Sequence, residues 1–286
     1  MALIDKLAVI GVGLIGGSFA LALKQSGAVG QVIGIDRDRA NLEQALQLGV
    51  IDRAADSLQD GLAGVQAVFI AVPVRSIAAV VAEAAPWLPE GCLVTDGGSV
   101  KEEVVRACAP LMPPGRFFVG GHPIAGTEHS GAVAAFATLY RDKRCILTPT
   151  AGTDPAALEL AQQLWQACGS RVECMDAVAH DRVFAAVSHL PHMVAYALVH
   201  AVDRSAEEEE NILAFSAGGF RDFTRIASSD PVMWRDIALM NRGALLDMLD
   251  RYLAEISALR ERVAQGDGSW LEEYFTTSKR LRDEIC

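Results

Sequence analysis

Positive charge is in short supply in this 286-residue chain, where 25 lysines and arginines face 36 aspartates and glutamates and leave a formal net charge of −11. Binding to nucleic-acid backbones depends on clustered cations, so a nucleic-acid partner is not expected. Cysteine is also scarce: Cys92, Cys108, Cys145, Cys168, Cys174 and Cys286 form no C-x-x-C pair, and five of the six sit among apolar neighbours. Thiols in such places act as small hydrophobes, which predicts a reducing, cytoplasmic setting. No uninterrupted apolar run approaches the roughly 18 residues of a membrane helix, so no membrane partner is expected. Histidines number six, and neither H-x-x-x-H nor a Cys/His spacing occurs among them, so no metal site is predicted.

What is present is enough apolar material, 51% of residues against 21% charged, for a globular protein with two cores at this length. The apolar start resembles a secretory signal only in composition. It is dense in glycine and fits strand, turn and helix, so it reads as mature protein.

Short β-branched runs alternate with helical spacing through the first half. Strands are predicted at 7–13, 31–36, 67–73, 92–96, 116–121 and 144–150, with an edge strand at 171–175. Helical segments at 14–27, 40–49, 76–85, 100–108 and 155–168 fall between them. This alternation predicts an α/β fold: an N-terminal Rossmann-type, mostly parallel sheet covered by helices over residues 1–175. From 176 to 286 the strand signals stop, which predicts an all-helical domain. Asp230 and Pro231 mark a helix start, and Ile237, Leu245, Leu249, Tyr252, Ile256, Leu259 and Val263 continue an apolar stripe as one long helix of about 50 Å. A stripe of that length suits either its own domain or a partner chain, and a homodimer is the expectation. The acidic run Glu207 to Glu210 reads as a solvated helix face.

Gly11, Gly13 and Gly16 spell G-x-G-x-x-G between the first strand and helix, and Asp36 ends the second strand. Gly11 permits the tight turn, Gly13 admits a pyrophosphate, and Gly16 lets helix and strand pack closely. Asp36 is placed to accept the adenosine ribose hydroxyls and to repel a 2′-phosphate, so NAD is expected over NADP, with Arg37 and Arg39 as softening influences. Leu14, Ile15, Val72 and Ser99 complete the expected cofactor contacts.

Two segments that follow strand ends carry candidate chemistry. Ser99 and Glu102 match the S-x-x-E capping box, which is a structural reading of the serine. His122 lies in "GGHPIAGTEHSG" (120–131), where flanking glycines predict a loop with room around the ring for cofactor and substrate. A neutral imidazole there is suited to take the proton of a hydroxyl during hydride removal.

Taken together and in this order, "GVGLIGGS", "DGGSVK", "GGHPIAGTEHSG", "SHLPH" and "GGFRDFTRIASSDPVMW" resemble the TyrA family of prephenate, arogenate and cyclohexadienyl dehydrogenases. The resemblance runs from residue 7 to the last long helix. It implies a nucleotide-binding domain followed by a helical dimerisation domain. It also implies oxidative decarboxylation of prephenate to 4-hydroxyphenylpyruvate, or of arogenate to tyrosine, with NAD(P) as hydride acceptor. In that scheme His122 is the base, Ser99 hydrogen-bonds the hydroxyl and His122, and Arg225 grips a substrate carboxylate. His192, Thr127, Glu128, Gly218 and Trp234 line the substrate pocket, some of them across the dimer. A protein of this net charge must concentrate cations to hold a dianion, and Arg221 and Arg225, four residues apart, do so; the other reading is surface pairing with Asp222, Asp230 or Asp236. His189 is expected to be structural. A β-hydroxyacid dehydrogenase is disfavoured because 180–200 lacks lysine, and an NAD-sensing regulator because the base is present. No appended regulatory domain is expected.

Overall fold

The computed structural model describes residues 2–127, 129–205 and 212–285. Glu128, the acidic run 207–210 and Cys286 lie outside the described residues.

Eight strands are present in the described chain: β1 (Ile4–Ile10), β2 (Val29–Ile35), β3 (Arg53–Ala54), β4 (Ala67–Ile70), β5 (Leu93–Asp96), β6 (Phe117–Pro123), β7 (Arg144–Thr148) and β8 (Arg171–Cys174). They form a single sheet in the order β3-β2-β1-β4-β5-β6-β7-β8. The strands run parallel except where β7 pairs antiparallel with β6. The connecting helices are α1 (Leu14–Gln25), α2 (Arg39–Gln47), α3 (Leu58–Gly61), α4 (Ile77–Ala84), α5 (Glu102–Cys108) and α6 (Pro155–Ala167). Strands buried on both faces must be apolar throughout, and β4 (AVFI) is. On one face Phe19 of α1, Phe69 of β4 and Trp165 of α6 pack ring against ring at 4.4 to 5.5 Å. Ile77, Val81, Val104 and Cys108 from α4 and α5 fill the other. Strand order reverses between β1 and β4, and open α/β sheets bind ligands in the crevice at such a point.

The helices that follow are α7 (Ala177–Phe184), α8 (Leu190–Ser205), α9 (Gly218–Thr224), α10 (Pro231–Met240), α11 (Arg242–Gln265) and α12 (Gly268–Asp283). A π-helical turn, Ala185–His189, joins α7 to α8. Such turns are local defects that often mark functional sites. The continuous helical run 177–205 has a mean hydropathy of 1.3 over its most apolar window, long and apolar enough to cross a membrane by length and composition. Ser188, His189, Pro191 and His192 interrupt this run, so it passes on average hydropathy and is not an uninterrupted apolar stretch of that length.

By packing, the chain divides into Met1–Asn241 and Arg242–Cys286. The single long helix expected from Asp230 is two. Asn241 interrupts it with non-helical backbone at φ −100° and ψ 35°, and its side chain turns inward to the carbonyl of Asp181 and the ring of His189. Local spacing could not show this, because both partners lie more than 50 residues away. The second unit is a hairpin of α11 and α12. Arg262 pairs with Asp267 and lies 5.4 Å above the Trp270 ring, and Tyr274 donates to Glu255 at 3.2 Å. Leu253, Ile256 and Val263 of α11 and Phe275 and Leu281 of α12 are exposed in the single chain.

Candidate active site

The glycine turn after β1 separates structural from ligand demands. At Gly11 (φ 91°) a side-chain carbon would stand 2.5 Å from the Ala71 carbonyl oxygen, and at Gly16 it would stand 2.0 Å from the Gly11 carbonyl oxygen. Those two glycines are required by the fold itself. At Gly13 nothing lies within 4 Å, so the protein leaves space there that its own packing does not need. Gly13 is also the N-cap of α1 and offers no side-chain cap to the first-turn amides. Open space beside uncapped helix amides fits a dinucleotide pyrophosphate. Leu14 is buried in the core, so its own contribution to a ligand is a main-chain amide. The Ile15 carbonyl accepts the Tyr140 hydroxyl at 2.6 Å, and Val72, after β4, lines the turn beside Gly11.

Asp36 is half-buried at the end of β2. Its Oδ2 accepts the Val12 amide at 2.9 Å and the Asn41 side chain at 3.3 Å, while Oδ1 accepts the Asp38 amide at 3.0 Å. The carboxylate is therefore fixed beside the turn. Arg37 is exposed and makes no ion pair among the described residues; Arg39 pairs with Asp56 at 2.9 Å.

His122 does not lie in a loop. It belongs to β6, opposite Ile146 of β7, because β6 continues beyond its parallel pairing with β5 and pairs antiparallel with β7. The flanking glycines serve the strands rather than a ligand. A side-chain carbon at Gly120 would meet Thr148 Oγ1 at 2.5 Å, and one at Gly121 would meet the Asp96 carbonyl oxygen at 2.8 Å. His122 is 9% exposed, packs on Phe184 at 4.8 Å, and places Nδ1 2.8 Å from His180 Nε2. His180 Nδ1 is in turn 2.8 Å from Asp181 Oδ1. Burial is the main influence holding the His122 pKa well below the usual imidazole value, with His180 and the Lys101 charge acting in the same direction.

Beneath His122 a fully buried ion pair joins Lys101 to Asp96, the last residue of β5. Lys101 Nζ also donates to the Gly121 carbonyl at 2.7 Å, and Asp96 accepts the amides of Gly98 and Gly121. This pair ties the Gly97–Ser99 turn to the strand that carries His122. Ser99 is half-buried in that turn and does not cap α5. The N-cap is Lys101, and the first amides of the helix, Lys101 and Glu102, donate to the two oxygens of Asp181 at 2.8 and 3.0 Å. A carboxylate distant in sequence has taken the place of the expected capping box.

On the helical side, His192 stacks on Trp234 at 3.6 Å and donates from Nδ1 to the Ser188 carbonyl at 2.9 Å. Burial lowers its pKa against the raising effect of the Ser188 hydrogen bond, with the Arg225 charge acting in the same direction as burial. Neither Arg221 nor Arg225 makes an ion pair among the described residues. Asp236 pairs with Arg75 and Arg235 instead. Trp234 Nε1 and His189 Nε2 are buried without a hydrogen-bond partner. Thr127 is exposed and its hydroxyl accepts the His129 amide at 3.3 Å, while Gly218 opens α9 with clear space around its α-carbon. Among the described residues no three His, Cys, Asp or Glu side chains are grouped to hold a metal ion.

Family models for the prephenate dehydrogenase nucleotide-binding domain and dimerization domain match residues 19–174 and 176–277. The chain belongs to the prephenate dehydrogenase family. It is similar to the prephenate dehydrogenase of Bacillus subtilis, at 41% identity over 98% of this chain and 76% of that protein. It is also similar to a crystal structure of Aquifex aeolicus prephenate dehydrogenase in complex with hydroxyphenyl propionate and NAD+, with a TM-score of 0.93, 38% identity, and coverage of 99% of this chain and 98% of that one. A third similarity is to the crystal structure of Synechocystis arogenate dehydrogenase, with a TM-score of 0.85, 29% identity, and coverage of 98% and 100%.

Within this member of the prephenate dehydrogenase family, sequence reasoning missed His180, Asp181, Lys101, Asn41 and Asn241. His180 and Asp181 stand at the start of an apolar helical segment, and no local pattern marks them as partners of His122. The one available signal was Lys101, a lysine three residues after the glycine pair that follows a strand end.

Proposed function

We propose that this protein oxidatively decarboxylates prephenate to 4-hydroxyphenylpyruvate with NAD, a step in tyrosine biosynthesis. The observation that carries the reading is the buried His122 near the carboxyl end of β6, paired with His180, in a chain of this family. His122, held neutral by burial, takes the proton of the ring hydroxyl. When bound, NAD supplies the acceptor for the hydride leaving C4. The ring carboxylate departs as CO2 and leaves its electron pair in the ring, which becomes aromatic. Ser99 hydrogen-bonds the hydroxyl from the turn after β5. Arg225, without an ion-pair partner among the described residues, holds a substrate carboxylate against the repulsion of a net charge of −11. His192, Trp234, Thr127 and Gly218 line the substrate side.

Cofactor binding falls to residues 1–175, with Gly11, Gly13, Leu14, Ile15, Gly16, Asp36, Arg37, Val72 and Ser99 around NAD. Asp36, fixed by three donors, disfavours the 2′-phosphate of NADP. Residues 176–286 complete the substrate site and form a homodimer in the cytoplasm, where the buried free thiols stay reduced. Arogenate is the second reading, favoured by the full-length likeness to an arogenate dehydrogenase. Measuring kcat/KM for both substrates with both cofactors tests the proposal. Prephenate with NAD is expected to give the highest value, and absence of turnover with either substrate overturns the reading.

A further inference from the structure

The polar groups around His122 form one continuous chain, and its donors and acceptors can be assigned from the fixed end. Asp181 Oδ1 receives the Lys101 amide at 2.8 Å and Oδ2 receives the Glu102 amide at 3.0 Å, and main-chain N–H groups can only donate. A carboxylate so occupied acts as an acceptor. The 2.8 Å contact between Asp181 Oδ1 and His180 Nδ1 therefore carries its proton on His180. Burial lowers the His180 pKa against the raising effect of Asp181, which leaves a neutral ring with a lone pair on Nε2. That lone pair faces His122 Nδ1 at 2.8 Å and needs a donor, so the His122 proton sits on Nδ1. Nε2 of His122, which makes no hydrogen bond among the described residues, is left as the bare, basic nitrogen.

We propose that His180 and Asp181 are positioning residues that hold His122 in the one tautomer able to accept the substrate proton at Nε2, and that Asp181 locks the Ser99 turn to the same anchor. This rests on the reading of His122 as the base. An imidazole alone in this strand would divide its population between two tautomers and rotate about its side-chain bonds. The chain removes both freedoms, and no proton passes along it because Asp181 serves only as an acceptor and His180 keeps its Nδ1 proton. The Asn241 side chain adds a brace by donating to the Asp181 carbonyl at 2.8 Å. The charged and titratable groups facing His122 are His180 on α7, His189 on the π turn, and the Lys101–Asp96 pair after β5. None of these others offers its Nδ1 an acceptor.

Two measurements test the assignment. Selective 15N-histidine labelling of the full-length protein, with the His122 signals identified by their loss in His122→Asn, is expected to show a protonated Nδ1 and a bare Nε2 at pH 7.5. A proton on Nε2 overturns the proposal, and this readout needs no variant of the relay. In the second, His180→Phe keeps an aromatic ring in the core and leaves the Asp181 cap in place but removes the acceptor. Its kcat is expected to fall about 100-fold, as for general-base contributions, with KM for prephenate and Kd for NAD within threefold. His180→Gln, whose amide oxygen restores an acceptor, is expected to recover at least tenfold of that loss. A kcat within twofold of wild type in His180→Phe, or equal losses in Phe and Gln variants, overturns the proposal. Near-normal turnover in His122→Asn defeats the base reading itself, whereas its loss with full turnover in His180→Phe defeats only the positioning role.

Discussion

At the scale of single residues, the glycines of the first turn separate into two kinds. Gly11 and Gly16 are held by contacts with Ala71 and with each other, whereas the protein itself leaves Gly13 free. Gly13→Ala is accordingly expected to shift the urea midpoint little and to weaken NAD binding at least tenfold by calorimetry. Gly11→Ala meets both a positive φ and a backbone clash and is expected to lose 2 kcal/mol or more, roughly, in stability. His122→Asn is expected to reduce kcat by about 100-fold or more while leaving NAD affinity within threefold, measured by steady-state kinetics and titration.

At the scale of elements, the start of α5 shows how a local signal can be overruled. Ser99 and Glu102 have the spacing of a capping box, yet two amides of that helix are satisfied by Asp181 from α7. A carboxylate can accept both amides and a histidine at once, which a single hydroxyl cannot. Ser99→Ala is therefore expected to change the unfolding free energy, measured by urea denaturation, by less than the roughly 1 kcal/mol of a lost N-cap, while lowering kcat with prephenate. A stability loss of full N-cap size returns Ser99 to its structural reading. α10 shows the same effect, because Asn241 ends it for the sake of bonds to Asp181 and His189, and the apolar spacing ran through the break unmarked.

At the scale of the whole molecule, buried histidines link stability to acidity. Burial lowers the His189 pKa to about 4 from an ordinary value of 6.5. A lowered value means that the unfolded chain binds the proton first as pH falls. Stability is thus complete above about pH 6.5 and declines toward pH 4, by roughly 3 kcal/mol for His189 alone. His122 and His180 shift in the same direction. Urea midpoints between pH 7 and 4.5 check this, and His189→Gln is expected to flatten the decline. The exposed apolar residues of α11 and α12 are the proposed dimer surface. Sedimentation is expected to give twice the 30.5 kDa chain mass, and Leu253→Glu with Ile256→Glu to give the monomer.

The alternation of strands and helices, the glycine turn with Asp36, and the order of motifs were legible in the sequence because each is a local pattern, set by side-chain period, turn chemistry or direct spacing. The mostly parallel sheet follows from these. Which residues surround His122 was not legible. Its position inside a strand depends on β6 continuing into an antiparallel pair with β7, and its partners His180 and Asp181 arrive from a helix 58 and more residues later. The buried Lys101–Asp96 pair and the helix break at Asn241 are of the same kind. Each satisfies a polar group that burial would otherwise leave unpaired, and only the packed fold determines which distant group can reach it.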